Sequence, residues 1–187
     1  MKRKYIIIIM SVPILLFTFG CTPNEYQKIT VTKEDISFSF EYPATYQNHD
    51  ETKFSITFLR WDGETLAWDY SNINTAFSIS VFDQTEEFPN AASYLDVCLT
   101  NYSEAPDYEL FERSKILLSG FEGEFILYKA RAGLSGEYIN PKTSYFREIY
   151  LDYGDKRWVI SIDCYQEMVE QVTEEFDHII KSFKFID

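Results

Sequence analysis

Histidine is nearly missing from this chain. Of 187 residues only His49 and His178 carry an imidazole, and a pair this far apart offers no metal-ligand spacing. His49 lies in a polar stretch and reads as exposed. His178 sits among the last apolar repeats and reads as a structural side chain. A serine nucleophile motif is also lacking: Gly133-Leu134-Ser135-Gly136 is not G-x-S-x-G and has no strand-to-helix elbow around it. Gly120-Phe121-Glu122-Gly123 lacks the glycine and lysine spacing of a phosphate loop and reads as a turn. No run of acids forms the calcium ladder with its central glycine. Glu86-Glu87, Glu174-Glu175 and Asp152 with Asp155 read as solvated charge, and the turn Asp152-Tyr153-Gly154-Asp155 could at most hold a cation weakly. There is no internal repeat and no low-complexity segment. Together these absences point away from catalysis, and no cofactor and no metal site are expected.

Long apolar runs are scarce too. The only one, Tyr5 to Phe19, is about 15 residues and falls short of the roughly 20 that a spanning helix needs. It follows Lys2-Arg3-Lys4 and ends in Gly20-Cys21, the order of an export signal. A cysteine after a small residue at that place resembles the lipobox of bacterial lipoproteins, although Thr18 and Phe19 depart from the usual pattern. The resemblance implies acylation of Cys21 and its exposure as the new N-terminus. Residues 1–21 are then a signal peptide, 22–28 a short tether and 29–187 one domain. An uncleaved anchor and plain secretion are the alternatives. All three readings place the domain outside the cytoplasm, and the lipoprotein reading holds it by lipid at the extracytoplasmic face of a cell membrane.

Cysteine is otherwise limited to Cys98 and Cys164, each in apolar company, which reads as two buried thiols, with a disulfide between them the alternative open to an exported domain. Positive charge is in short supply. The whole chain has 17 basic and 30 acidic residues, and loss of the signal removes three bases and no acid. Such a surface disfavours nucleic acid, whose binding rests on Lys and Arg at phosphates. It equally disfavours lying flat on an anionic bilayer.

What the chain does have is aromatic rings, 16 Phe, 14 Tyr and 3 Trp, placed on short alternating runs that predict strands. Ile29 to Val31 is a brief first strand. Ile36, Phe38, Phe40 and Tyr42 alternate with polar residues until Pro43. Residues 44–53 read as loop, Phe54 to Phe58 as strand, Asp62 to Thr75 as a long loop and Phe77 to Val81 as strand. Asn90 is a plausible N-cap for a helix with the stripe Tyr94, Leu95, Cys98, Leu99 and Tyr102, closed by Pro106. Four strands follow, over 110–118, 121–129, 145–151 and 158–164. The third and fourth are joined by a turn at Tyr153-Gly154-Asp155. A last helix presents Val169, Val172, Phe176, Ile179, Ile180 and Phe183 on one face, with Glu170, Glu174, Glu175, Asp177 and Lys181 largely on the other. Consecutive hairpins with helices packed on them predict an α+β domain around a mostly antiparallel central sheet.

Phe38-Ser39-Phe40-Glu41-Tyr42-Pro43, Phe77-Ser78-Ile79-Ser80-Val81, Gly120 and Gly123 ahead of Glu124 to Tyr128, and the ending Phe176-x-x-Ile179-x-x-Ser182-Phe183 resemble the PsbP family. That family shares its fold with the Ran-binding Mog protein and with small bacterial lipoproteins. The likeness spans about residues 30–185. It implies a central antiparallel sheet flanked by helices in an α/β/α sandwich, and a protein that acts by docking onto other proteins. On that footing the expected partners are a membrane, through lipid on Cys21, and an unnamed protein. The best candidate for the contact is the loop Trp61 to Tyr70, with Trp61, Trp68 and Tyr70 as its rings. A surface hydrolase using a carboxylate pair is the competing reading. It predicts a deep acidic pocket whose carboxyls have pKa values pushed apart.

Overall fold

In a computed structural model the described residues are 25–33, 36–52, 55–61, 73–131 and 143–186, with Lys33, Asp50, Glu51 and Trp61 described by backbone alone. The strands are β1 (Tyr26–Lys33), β2 (Ile36–Pro43), β3 (Gln47–Glu51), β4 (Ser55–Trp61), β5 (Ile73–Asp83), β6 (Glu109–Leu118), β7 (Phe121–Ala130), β8 (Ser144–Tyr153), β9 (Lys156–Tyr165) and β10 (Lys184–Phe185). The helices are α1 (Ala91–Tyr102) and α2 (Val169–Ser182). Seven strands form a sheet in the order β3-β4-β5-β9-β8-β7-β6, and β1-β2-β10 form a second, three-stranded sheet. Every pairing among the described strands is antiparallel.

Alternation along the large sheet sorts the side chains into two layers. Ile149 and Leu151 join one apolar cluster, and Tyr150 between them joins the other. On the second face lie Ile126, Tyr128, Ala130 and Tyr150, covered by the α1 stripe through Leu95. The first face is larger. Phe77, Ile79, Trp158, Ile160 and Ile162 pack there against Phe38 and Phe40 of the small sheet and Val172, Phe176 and Ile179 of α2. Full burial of each such side chain contributes about 1.5–3 kcal/mol. The expected mostly antiparallel α+β architecture is present. The helix-flanked sandwich holds in part, because α2 shares its layer with three strands.

Local chemistry explains the element ends. Asn90 caps α1, accepting from Ser93 N, while Ser93 Oγ accepts from Asn90 N, so two orphan donors are satisfied reciprocally. Gly154 has φ +65, as the tight β8–β9 turn demands. Gly123 allows close strand approach, since a Cβ there would stand 2.8 Å from the Tyr150 carbonyl oxygen.

Four elements differ from expectation. β3, read as loop, is the polar run Gln47 to Glu51. Among the described strands it pairs only with β4, through its backbone, and its side chains carry no hydrophobic period. β10 has two residues, too few for a pattern. β1 starts at Tyr26, so the last three residues of the expected tether are already strand, pairing with Pro43, Tyr42 and Glu41. The long loop read as ending at Thr75 gives way to β5 at Ile73.

Candidate docking surface

Of the residues singled out from sequence, Cys21, Trp68 and Tyr70 lie outside the described residues. Trp61 ends β4, where its backbone pairs with Ile73. Cys98 and Cys164 are both free thiols; Cys98 belongs to α1 and packs on the cluster beneath that helix, and Cys164 lies on the opposite face of the sheet. Among the described residues no group of three His, Cys, Asp or Glu could hold a metal, and no helix is long and apolar enough to cross a membrane.

A groove of about 570 Å³ opens where the β6–β7 turn, the β8–β9 turn and β10 converge, lined by Leu117, Phe121, Tyr153, Ile180, Lys181 and Lys184 among others. Ser119 and Gly120, at φ 52 and 89, make the two-residue turn between β6 and β7. Ser119 Oγ donates to the Phe183 carbonyl at 2.6 Å, which ties this turn to the end of α2. Leu117 is 71% exposed and Phe121 40%, high for large apolar side chains. The floor is rigid. Phe121 meets Tyr153 edge-on at 4.7 Å, Tyr153 stacks on Phe185 at 4.0 Å, Phe185 meets Trp158 at 5.1 Å, and Trp158 meets Phe38 at 5.2 Å. Such a ladder, each pair contributing about 0.5–1.5 kcal/mol beyond its burial, holds the groove in one shape. A signal for it exists in the sequence: Ile116-Leu117-Leu118 breaks alternation, so one of the three must face outward.

Charged residues are elsewhere drawn inside. Arg60 Nη1 donates to both Glu175 oxygens, at 2.7 and 2.8 Å, while Arg60 Nη2 donates to Thr75 Oγ1 and Arg60 Nε to Asn74 Oδ1. Tyr46 OH and Gln171 Nε2 also donate to Glu175. Glu175 is therefore fully buried, which corrects its expected place on the solvent face of α2. The periodic pattern put it one step from the apolar stripe, and the guanidinium across the layer decided its orientation. Asp152 is likewise bound within the fold, accepting from Ala91 N at 2.7 Å and from Arg157 Nε at 3.1 Å, so it serves as a helix cap.

Under α1, Glu148 sits in a cage of tyrosines. Tyr150 OH donates to it at 2.6 Å and Tyr128 OH at 3.2 Å, and Tyr102 OH lies 3.0 Å from Tyr150 OH. Burial raises the Glu148 carboxyl above its ordinary range, opposed by these donors. Asp163, diagonal to it on β9, is raised well above its usual value by burial and then by the Glu148 charge. Its Oδ2 is buried without a hydrogen-bond partner. The two carboxyls are thus both displaced upward.

The arrangement of the two sheets and two helices is the PsbP/Mog-like fold. Among solved structures the chain is similar to the Ran-binding protein Mog1p of Saccharomyces cerevisiae, at 12% identity and a TM-score of 0.57, over 88% of this chain and 97% of that one. It is similar to the cyanobacterial PsbP of Synechocystis, at 13% identity and a TM-score of 0.56, over 89% and 96%. It is also similar to LpqN of Mycobacterium tuberculosis, described as involved in cell envelope biogenesis, at 12% and 0.54, over 88% and 93%. No protein-family model and no curated protein sequence matches the chain.

Proposed function

We propose that this chain is an extracytoplasmic lipoprotein, held to its membrane by lipid on Cys21, and that its domain is a non-catalytic docking module for another protein. The exposed, rigidly backed apolar groove at Leu117 and Phe121 carries the docking part of the reading. The lipobox-like Gly20-Cys21 after a short apolar run supports the anchor. The fold is shared with a Ran-binding protein and with an envelope-biogenesis protein, and this supports an accessory role. The rings of Trp61, Trp68 and Tyr70 provide a second contact surface in the same proposal.

The test has two arms. The intact mass of the native protein extracted from membranes should match residues 21–187 plus lipid, and Cys21→Ala should abolish lipid labelling. Mass of the full chain with its N-terminus intact overturns the lipid anchor. A photo-crosslinking side chain at position 117 should yield one discrete adduct in native membranes, and the same probe at exposed Glu104 should not. Equal, diffuse labelling from both positions overturns the docking surface.

A further inference from the structure

We infer that the groove takes an extended segment of a partner protein in which carboxylates flank an apolar side chain. This rests on the docking reading above and adds the chemistry of the occupant. The chain has 30 acids against 17 bases, yet the groove lining holds Lys181 and Lys184 and no acid. Most described bases are matched to this chain's own acids: Arg60 to Glu175, Arg113 to Asp96, Lys115 to Glu124, Lys129 to Glu109, Arg131 to Asp107, Arg157 to Asp152. Lys181 and Lys184 are exposed and form no ion pair with a described residue. They line the groove beside its apolar floor, so an acid–apolar–acid segment meets complementary charge at this groove and repulsion over most of the remaining surface.

Backbone geometry supplies the extended form. Among the described strands β10 pairs only with β2, and Ile186 N donates to Ser37 O. Alternation then directs the N–H and C=O of Phe185 away from β2, to the open side of β10. A segment laid along that side gains main-chain hydrogen bonds and places alternate side chains toward Leu117 and Phe121. Two occupants from this chain fit poorly. The N-terminal segment left once residues 1–20 are removed, Cys21 to Glu25, carries one acid ahead of β1 and so has no flanking pair. Glu109-Leu110-Phe111-Glu112 has the required pattern, but Glu109 is paired with Lys129 and Phe111 is stacked on Tyr145.

The probe is a fluorescent acetyl-Glu-Leu-Phe-Glu-amide peptide, compared with its Lys-Leu-Phe-Lys counterpart on full-length protein in zwitterionic nanodiscs. The acidic peptide should bind at least about tenfold more tightly, the sum of two weak ion pairs. K181E/K184E should reverse the preference, and L117S should weaken both peptides. Equal binding of the two peptides, or no binding of the acidic one at millimolar concentration, overturns the inference. Oligomers that vanish in K181E/K184E would make the occupant a second copy. Lysine-dependent capture of phosphatidylglycerol vesicles without peptide binding would make it a membrane. Either outcome overturns the partner segment. If the position-117 crosslink survives K181E/K184E, docking stands and only the acidic chemistry falls. If that crosslink is absent as well, both fall.

Discussion

Arg60 and Glu175 face each other in the interior with 2.7 and 2.8 Å contacts, although 115 residues separate them along the chain. The pair binds the end of β4 to the middle of α2, and its remaining donors and acceptors are met by Tyr46, Asn74, Thr75 and Gln171. Glu175→Ala leaves a buried guanidinium unpaired and should cost about 3–5 kcal/mol. Replacing both partners, Arg60→Met with Glu175→Leu, should cost much less. Urea unfolding of the three proteins checks this, and a Glu175→Ala loss below about 1 kcal/mol would refute it.

Glu148 makes stability depend on pH. Its folded-state pKa is raised above the ordinary 4.5, so folding takes up a proton once the pH exceeds that value. The contribution is fully present below about 4.5 and is lost as pH rises through the folded-state value. Asp163 acts in the same sense. The melting temperature should fall between pH 5 and pH 8, and Glu148→Gln should shrink that fall. An unchanged slope in the variant would show that the tyrosine cage accommodates the charge.

Phe176 is 2% exposed, at the centre of the α2 face against both sheets. Phe176→Ala should destabilise the domain by about 3–5 kcal/mol in denaturant titrations. A loss under about 1 kcal/mol would mean that another face of α2 is buried.

Gly123 has no room for a side chain. An alanine Cβ would lie 2.8 Å from the Tyr150 carbonyl oxygen and 3.1 Å from Leu151 Cβ. Both obstacles belong to the neighbouring strand, so β7 and β8 must separate locally. Gly123→Ala should cost about 1–3 kcal/mol, as other overpacked sites do. Neutral behaviour in thermal melts would contradict so close an approach.

The thiols should differ in reactivity. Burial first, then the Asp163 charge, pushes Cys164 up to about 12, and it is buried in the main core. Cys98 is half-buried and also raised by burial. Peptide-level mapping after iodoacetamide at pH 8 should find Cys98 modified before Cys164, with Cys164 reacting only on unfolding. The reverse order would be incompatible with this core.

Much of the fold was legible because half-buried strands alternate. Phe38-Phe40, Phe77-Ile79-Val81 and Trp158-Ile160-Ile162 each announced a strand and its inner face, and Asn90 announced the start of α1. β3 stayed hidden because a polar strand held by backbone pairing leaves no trace in side-chain period. The groove was half legible. Ile116-Leu117-Leu118 showed that one apolar residue had to face out, but not that Tyr153, Phe185 and two lysines from the chain's end would gather beside it.

The sequence by itself determined the α+β class, the order of its central elements, the apolar face of α2 and the acid excess, because each depends on neighbours a few residues apart or on composition. Only the tertiary structure decided that Glu175 lies inside while Glu174 stays on the outer side, that Glu148 is caged by three tyrosines, and that Leu117 borders a groove. These outcomes rest on contacts between residues far apart in the chain, and a local pattern does not record which charge or ring will meet them across a layer.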